Sequence, residues 1–295
     1  MSAPPTGWYT DPWEPRQLRF WDGQQWSPHT AVPNRYVPQA PALDAAIGAM
    51  RQEDARTWGW RPIVAPIGAM IAIIVATQFV GYLEPDSRTG QLIFVAVVNL
   101  LITTAVATAL YLSGRRVALR HGGWGRTFGW RRPTPGDLPV AGVGFLVATA
   151  LRIAVGVVLD LASGGAATNE SRNIEVDSIN VPTVLLLVAV VVIAAPLTEE
   201  LMFRGLLLRT FMQRWSFWPA AIVSTLIFGL FHTYEVGTVL GAVTLALTVG
   251  VMGLVNCYLV RRTNRLMPGI LVHAASNGLA VLVLVLTVHN AAFGT

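Results

Sequence analysis

Residues 181–205, VPTVLLLVAVVVIAAPLTEELMFRG, run from an unbroken apolar stretch straight into two adjacent carboxylates and an arginine. The part from Val181 to Leu197 is almost wholly Val, Leu, Ile and Ala, and approaches the ~20 residues a helix needs to cross a bilayer. Charge at the margin of the hydrocarbon is costly and rarely sits there without a partner or a task. On a helix Glu200 and Arg204 are four residues apart and face each other, so they can pair. Glu199 is turned about 100° away and is left free, as a general base must be. Taken alone, the same residues fit an ordinary helix-end ion pair facing water equally well.

The rest of the chain has the same character. Of its 295 residues 53% are hydrophobic and only 13% charged, with a mean hydropathy of +0.53, a membrane composition. All 21 basic residues are arginine, which reads as a coding bias without mechanistic content. The net charge of +5 does not point to nucleic acid, because the arginines cluster beside apolar segments. The single Cys257 lies inside such a segment, which excludes a disulfide framework and a thiolate metal site. Residues 1–30 are polar, aromatic and Pro-rich, with no apolar run of the signal-peptide kind.

Apolar segments follow in series at about 63–83, 92–113, 138–162, 181–198, 217–234, 237–260 and 266–288. The expected fold is an all-α membrane protein, a polytopic helical bundle of about seven or eight transmembrane helices with a small N-terminal β-hairpin module. The loops sort by charge. Residues 114–137 hold Arg115, Arg116, Arg120, Arg126, Arg131 and Arg132 against Asp137 alone, whereas residues 163–180 hold Glu170, Glu175 and Asp177 against Arg172. The positive-inside rule places the first loop and the N-terminus in the cytoplasm and the second loop outside, in a plasma-membrane protein with many passes. The stretch 199–215 reads as loop, as an interfacial or re-entrant helix, or as part of a long helix.

Four regions result. Residues 1–32 are a Trp-rich hairpin module, with a strand at Leu18–Trp21, a two-residue turn at Asp22-Gly23 and a return strand at Gln24–Ser27. Trp8, Trp21 and Trp26 are its expected core. Residues 33–61 are a Pro/Ala-rich linker with a short polar helix around Leu43 to Thr57. Residues 62–135 supply two transmembrane helices and the basic loop, and residues 136–295 carry the remaining membrane segments. The module resembles a short, functionally uncharacterised unit common at the N-termini of actinobacterial membrane proteins. That resemblance rests on Trp8, Tyr9, Asp11, Pro12, Arg19, Trp21, Asp22, Gly23 and Trp26. It is a candidate for binding a protein partner; a membrane-proximal cap accounts for it as well.

Polar residues inside the membrane segments narrow the chemistry. His232 follows Phe228 by four residues, and His273 precedes Asn277 by four, which puts each pair on one helix face. A lone membrane histidine is usually a packing residue. Two of them with an asparagine and a Glu pair, all in the C-terminal third, are read as functional. Arg152, eight residues before Asp160, reads as structural, and His121 and His289 as exposed. The set suits hydrolysis. Glu199 can take a proton from water with His232 sharing it, while His273 and the Asn277 amide can donate to an oxyanion, at ~3 kcal/mol per donor. A divalent metal on Glu199, His232 and His273 is the other arrangement. There is no HExxH helix and no GxSxG. Depth is in tension: His232 lies roughly 22 Å along its segment and His273 roughly 12 Å at 1.5 Å per residue.

EExxxR (Glu199, Glu200, Arg204), FxxxH (Phe228, His232) and HxxxN (His273, Asn277), in that order, resemble the CAAX-protease and bacteriocin-processing (CPBP, or Abi) family of intramembrane proteases. The likeness covers roughly residues 140–290. It implies an α-helical bundle around a conical, water-filled cavity, with endopeptidase activity on a membrane-associated peptide or protein. Glu199 and His232 would activate water, His273 and Asn277 would stabilise the oxyanion, and Glu200, Arg204 and Phe228 would support them. The family's members are described as metalloendopeptidases, yet the same roles work without metal. No cofactor is firmly implied, with zinc on Glu199, His232 and His273 as the alternative. Two rival classes are a non-catalytic scaffold or bacteriocin-immunity-type protein, and a transporter using Glu199 and Arg152. No internal repeat supports the transporter.

Overall fold

The computed structural model describes residues 5–14, 17–31, 42–53, 60–80, 87–166, 180–233, 236 and 238–293. Glu170, Arg172, Glu175 and Asp177 of the acidic loop, the end of the polar helix beyond 53, and the side chain of His289 lie outside the described residues. The chain divides into two compact units, Met1–Ala40 and Pro41–Thr295.

The first unit is an antiparallel sheet in the order β1 (Gly7–Thr10), β2 (Leu18–Trp21) and β3 (Trp26–Ala31). β2 falls where the alternation places it; β1 is an additional strand, and the return strand starts at Trp26 instead of Gln24. Asp22 causes the shift. Its Oδ1 accepts the backbone N–H of Gln24 at 2.8 Å and of Gln25 at 2.7 Å, and Gly23 takes φ +100°, so the reversal spends four residues. The expected Trp trio is split. Trp8 stands opposite Phe20 and packs on it edge-on at 5.4 Å, while Trp21 meets Trp26 at 5.1 Å. Neighbouring residues of a strand point to opposite faces, so Phe20 and Trp21 cannot share one. Asp11 is buried and ties the β1–β2 connection, accepting from the Trp13 N–H and from Arg19 Nε, each at 2.9 Å.

The second unit is helical: α1 (Ala42–Glu53), α2 (Arg61–Val80), α3 (Arg88–Arg120), α4 (Trp124–Phe128), α5 (Asp137–Ala162), α6 (Val181–Met212), α7 (Phe217–Leu230), α8 (Val239–Thr263) and α9 (Met267–Phe293). Among the described residues five spans are long and apolar enough to cross a membrane: Gly90–Arg120, Asp137–Ala162, Val181–Met212, Val239–Thr263 and Met267–Val288. Pro62–Ala76 and Phe217–Leu230 are shorter apolar helices. Side chains such as Leu146, Ile153 and Leu161 project outward, Leu161 with 77% of its surface exposed, as expected where the solvent is lipid. α8 packs on α5 and α7, and α9 on α5, α6 and α8, so α6 is held from several sides.

Of the alternatives for 199–215 the structure has the long helix: residues 199–212 continue α6, with Met202 to Met212 buried. One sequence reading changes here. His121 is buried instead of exposed, because α4 folds back on the end of α3 and Thr127 Oγ1 donates to the His121 carbonyl at 3.4 Å. The polar helix α1 also lies on the bundle: Leu43, Ile47 and Met50 are buried, and Arg261 holds Asp44 at 2.8 Å. Helix ends are set locally. Asn180 accepts the Thr183 N–H at 2.9 Å to start α6, and Asn264, at φ +53°, ends α8.

Candidate active site

α6 is not a uniform helix. Widened π-helical stretches at Val188–Ala194 and Leu201–Leu207 flank the regular turn Ala195–Glu200 that presents both glutamates. Pro196 gives a local cause for the first, since it lacks an N–H and its ring crowds the carbonyl four residues back. Such stretches turn carbonyls off the helix axis, and neighbouring helices collect them. Asn277 Nδ2 on α9 donates to the Val191 carbonyl at 2.8 Å, and Ser224 Oγ on α7 to the Phe203 carbonyl at 3.2 Å.

The regular turn sends its two glutamates in different directions. Glu200 is fully buried, and its Oε1 meets three groups: Arg204 NH1 at 3.1 Å, Asn256 Nδ2 at 2.9 Å and His273 Nδ1 at 3.2 Å. The Arg204 guanidinium lies 4.3 Å above the Phe228 ring. Gly253 makes room for it, because a Cβ there would fall 2.6 Å from Arg204 NH2. Removing one partner of so buried an ion pair costs about 3–5 kcal/mol, since the other charge is then stranded.

Glu199 faces the histidines. Its Oε2 is 3.7 Å from His232 Nε2 and 3.8 Å from His273 Nε2, and has no hydrogen-bond partner. The Glu199 and His232 side chains are 28% and 31% exposed, although Glu199 Oε2 itself is covered, whereas His273 is buried. The other ring nitrogens are fixed. His232 Nδ1 lies 2.8 Å from the Phe228 carbonyl, which can only accept, so this nitrogen carries a proton. His273 Nδ1 donates to the Glu200 carboxylate in the same way. Phe228 packs edge-on against both rings, at 4.6 Å from His232 and 5.9 Å from His273.

The structure thus gathers Glu199, Glu200, Arg204, Phe228, His232 and His273 into one cluster, and the depth tension disappears: both histidines meet the same carboxylate oxygen. Asn277 is engaged on α6 by one amide hydrogen. Arg152 is half-buried on α5, and no hydrogen bond or ion pair joins it to Glu199 among the described residues. Asn256 is the member of the cluster that sequence reasoning missed. It is fully buried and also donates to the Gly269 carbonyl at 3.1 Å; its one sequence signal is an amide within the apolar run LVNCYLV. Among the described residues no group of three or more His, Cys, Asp or Glu is arranged to hold a metal ion. A tetrahedral zinc site spaces its ligand atoms about 3.3 Å apart, tighter than both Glu199–histidine separations.

Fold and cluster define a polytopic helical membrane protein with a carboxylate–histidine site in its interior. Residues 181–279 match the family model described as type II CAAX prenyl endopeptidase Rce1-like. The match supports an intramembrane protease-type function. Residues 6–42 match a family described as a protein of unknown function, DUF2510. An uncharacterized 24.3 kDa protein of Escherichia coli is 34% identical over 109 residues, 35% of this chain. The chain spans about half the length of that curated relative, 50%. No solved structure matches.

Proposed function

We propose that the protein is an intramembrane endopeptidase that hydrolyses a peptide bond of a membrane-associated peptide or protein with water activated by Glu199 and His232. The observation that carries this reading is the buried, unpartnered Oε2 of Glu199, on a side chain still 28% exposed, facing two imidazole nitrogens. A water bound there gives its proton to Glu199, with the neutral Nε2 of His232 accepting alongside, and the hydroxide attacks the carbonyl carbon. The cluster holds two carboxylates against one guanidinium, so one further proton balances it. His273 touches a carboxylate at each ring nitrogen and is the imidazole placed to carry that proton. Its Nε2–H, with the second amide hydrogen of Asn277, then donates to the oxyanion. Glu199 returns its proton to the leaving amine. Glu200, Arg204 and Phe228 fix the imidazoles and take no part in bond making. The protein sits in the plasma membrane with its N-terminus and arginine-rich loop in the cytoplasm.

Comparative analysis of membrane peptides from cells carrying wild type, Glu199→Ala or His232→Ala tests the reading. Substrate peptides should be cut only by wild type, with expression and thermal stability of the variants near normal. Identical peptide profiles for all three would leave a non-catalytic scaffold or immunity protein as the explanation.

A further inference from the structure

A second site is formed by an apolar cavity of about 360 Å³ between α3, α4 and α6, walled by Ala107, Leu110, Tyr111, Trp124, Leu197 and Leu201. It is not the catalytic cleft. At about 100° per residue, Leu197 and Leu201 lie on the side of α6 opposite Glu199, and Thr198, the one aliphatic hydroxyl of the lining, is turned about 100° from it. Tyr111 and Trp124 stack parallel at a ring separation of 6.2 Å along one wall, and Trp130, 39% exposed, stands at the rim. Ala107 and Tyr111 also belong to the exposed stripe of α3, so the mouth opens toward lipid.

The volume is within the ~300–1,000 Å³ of ligand pockets, yet so apolar a wall gives water too few partners to fill it. A hydrocarbon chain restores the contacts an empty space forfeits. The rim adds charge. The Arg115 guanidinium lies 5.9 Å from the Tyr111 ring, and Arg131, beside Trp130, is exposed with Nε on the Gly125 carbonyl at 3.3 Å. The single acid of residues 114–137, Asp137, is already held by Arg265 Nε and NH2, both at 2.7 Å. The arginines at the mouth are therefore not neutralised by their own segment. Aromatic side chains at headgroup level with basic residues above an apolar slot match a lipid with a negative headgroup.

We propose that this cavity binds an anionic phospholipid, with one acyl chain between α3 and α6 and the phosphate against Arg115 and Arg131. The site is separate from the peptidase reading and stands or falls without it.

The test uses the full chain in a neutral detergent, titrated with phosphatidylglycerol or phosphatidylcholine and followed by native mass spectrometry and thermal unfolding. Phosphatidylglycerol should bind roughly 10- to 30-fold more tightly, the effect of two arginine contacts at a membrane surface, and should raise Tm where phosphatidylcholine does not. Ala107→Trp fills the mouth from an exposed position and should abolish this binding while leaving helicity and lipid-free Tm unchanged. Arg115→Gln with Arg131→Gln should remove the headgroup preference but keep chain binding, which separates the two halves of the site. Equal binding of both lipids by wild type, or full phosphatidylglycerol binding by Ala107→Trp, overturns the proposal. Displacement of the lipid by a prenylated peptide also overturns it, because the cavity is then part of a substrate path.

Discussion

Asn256 donates a 2.9 Å hydrogen bond to Glu200 Oε1, the oxygen that also receives Arg204 and His273, although the two residues are 56 positions apart. The same amide nitrogen reaches the Gly269 carbonyl at 3.1 Å, one turn before His273 on α9. One side chain on α8 thereby ties the buried glutamate to the helix that carries the second histidine.

Asn256→Leu should leave Glu200 short of a donor and let α9 drift, at a cost of about 1–3 kcal/mol for the unsatisfied group. Activity should fall mainly in kcat, because Asn256 is fully buried behind Glu200. Asn256→Gln, which keeps the amide on a longer arm, should recover part of it. Full activity in Asn256→Leu would show that the bond does not position the cluster.

How far the site was legible in the sequence follows from the range of each signal. Glu199, Glu200 and Arg204 stand out because charge beside an apolar run is rare, and the spacing of four identifies the buried pair. His232 and His273 stand out for the same reason, but their convergence on one oxygen is a matter of helix tilt, which local spacing does not carry. Asn256 has no partner at helical spacing; its bonds run to α6 and α9. The widened turns of α6 are likewise invisible to a fixed periodicity, although Pro196 marks the first. In the N-terminal unit the Asp22-Gly23 pair signals a turn. Whether the turn takes two residues or four depends on the hydrogen bonds Asp22 makes, and that decides which tryptophans meet.

Orientation is tested with reporters. A fusion after Arg126 should report from the cytoplasm and one within Gly164 to Ser171 from outside, because the arginine excess of residues 114–137 retains that loop. Reversed signals would invert the topology and place the N-terminal unit outside.

The N-terminal unit should lose its structure in acid. Backbone N–H groups of Gln25 and Gln24 hold the Asp22 carboxyl below its usual range. Burial pushes the Asp11 carboxyl up, but the Trp13 N–H and Arg19 together outweigh it and leave the group lowered. A carboxyl lowered in the folded state binds fewer protons than in the unfolded chain. Its stabilisation is therefore present above the ordinary Asp value of about 4 and lost as pH falls through and below it. Near-UV circular dichroism of residues 1–40 should be pH-independent from 7 to about 5 and collapse below about 4. Asp22→Asn should flatten part of that transition. A full aromatic signal at pH ~2 would contradict the assignment.

The last prediction separates water activated by side chains from water activated by metal. Glu199 Oε2 lies 3.7 and 3.8 Å from the two Nε2 atoms, wider than ligand atoms on one zinc, and no group of three or more His, Cys, Asp or Glu among the described residues is arranged to hold a metal ion. Chelation should therefore leave most activity, and active, detergent-purified protein should carry far less than one equivalent of metal. A metal-dependent enzyme would lose activity with chelator and regain it with zinc. Asn277 sharpens the distinction. As an oxyanion donor, its change to Ala should lower kcat by ~10²–10³ with KM little altered. If Asn277 only braces α6 through the Val191 carbonyl, Tm should fall and kcat should drop far less. If it supports His273 as a metal ligand, metal affinity should weaken by ~10–100-fold and excess zinc should rescue the variant. Stoichiometric zinc together with that rescue would replace the side-chain mechanism with a metal-assisted one on the same three residues.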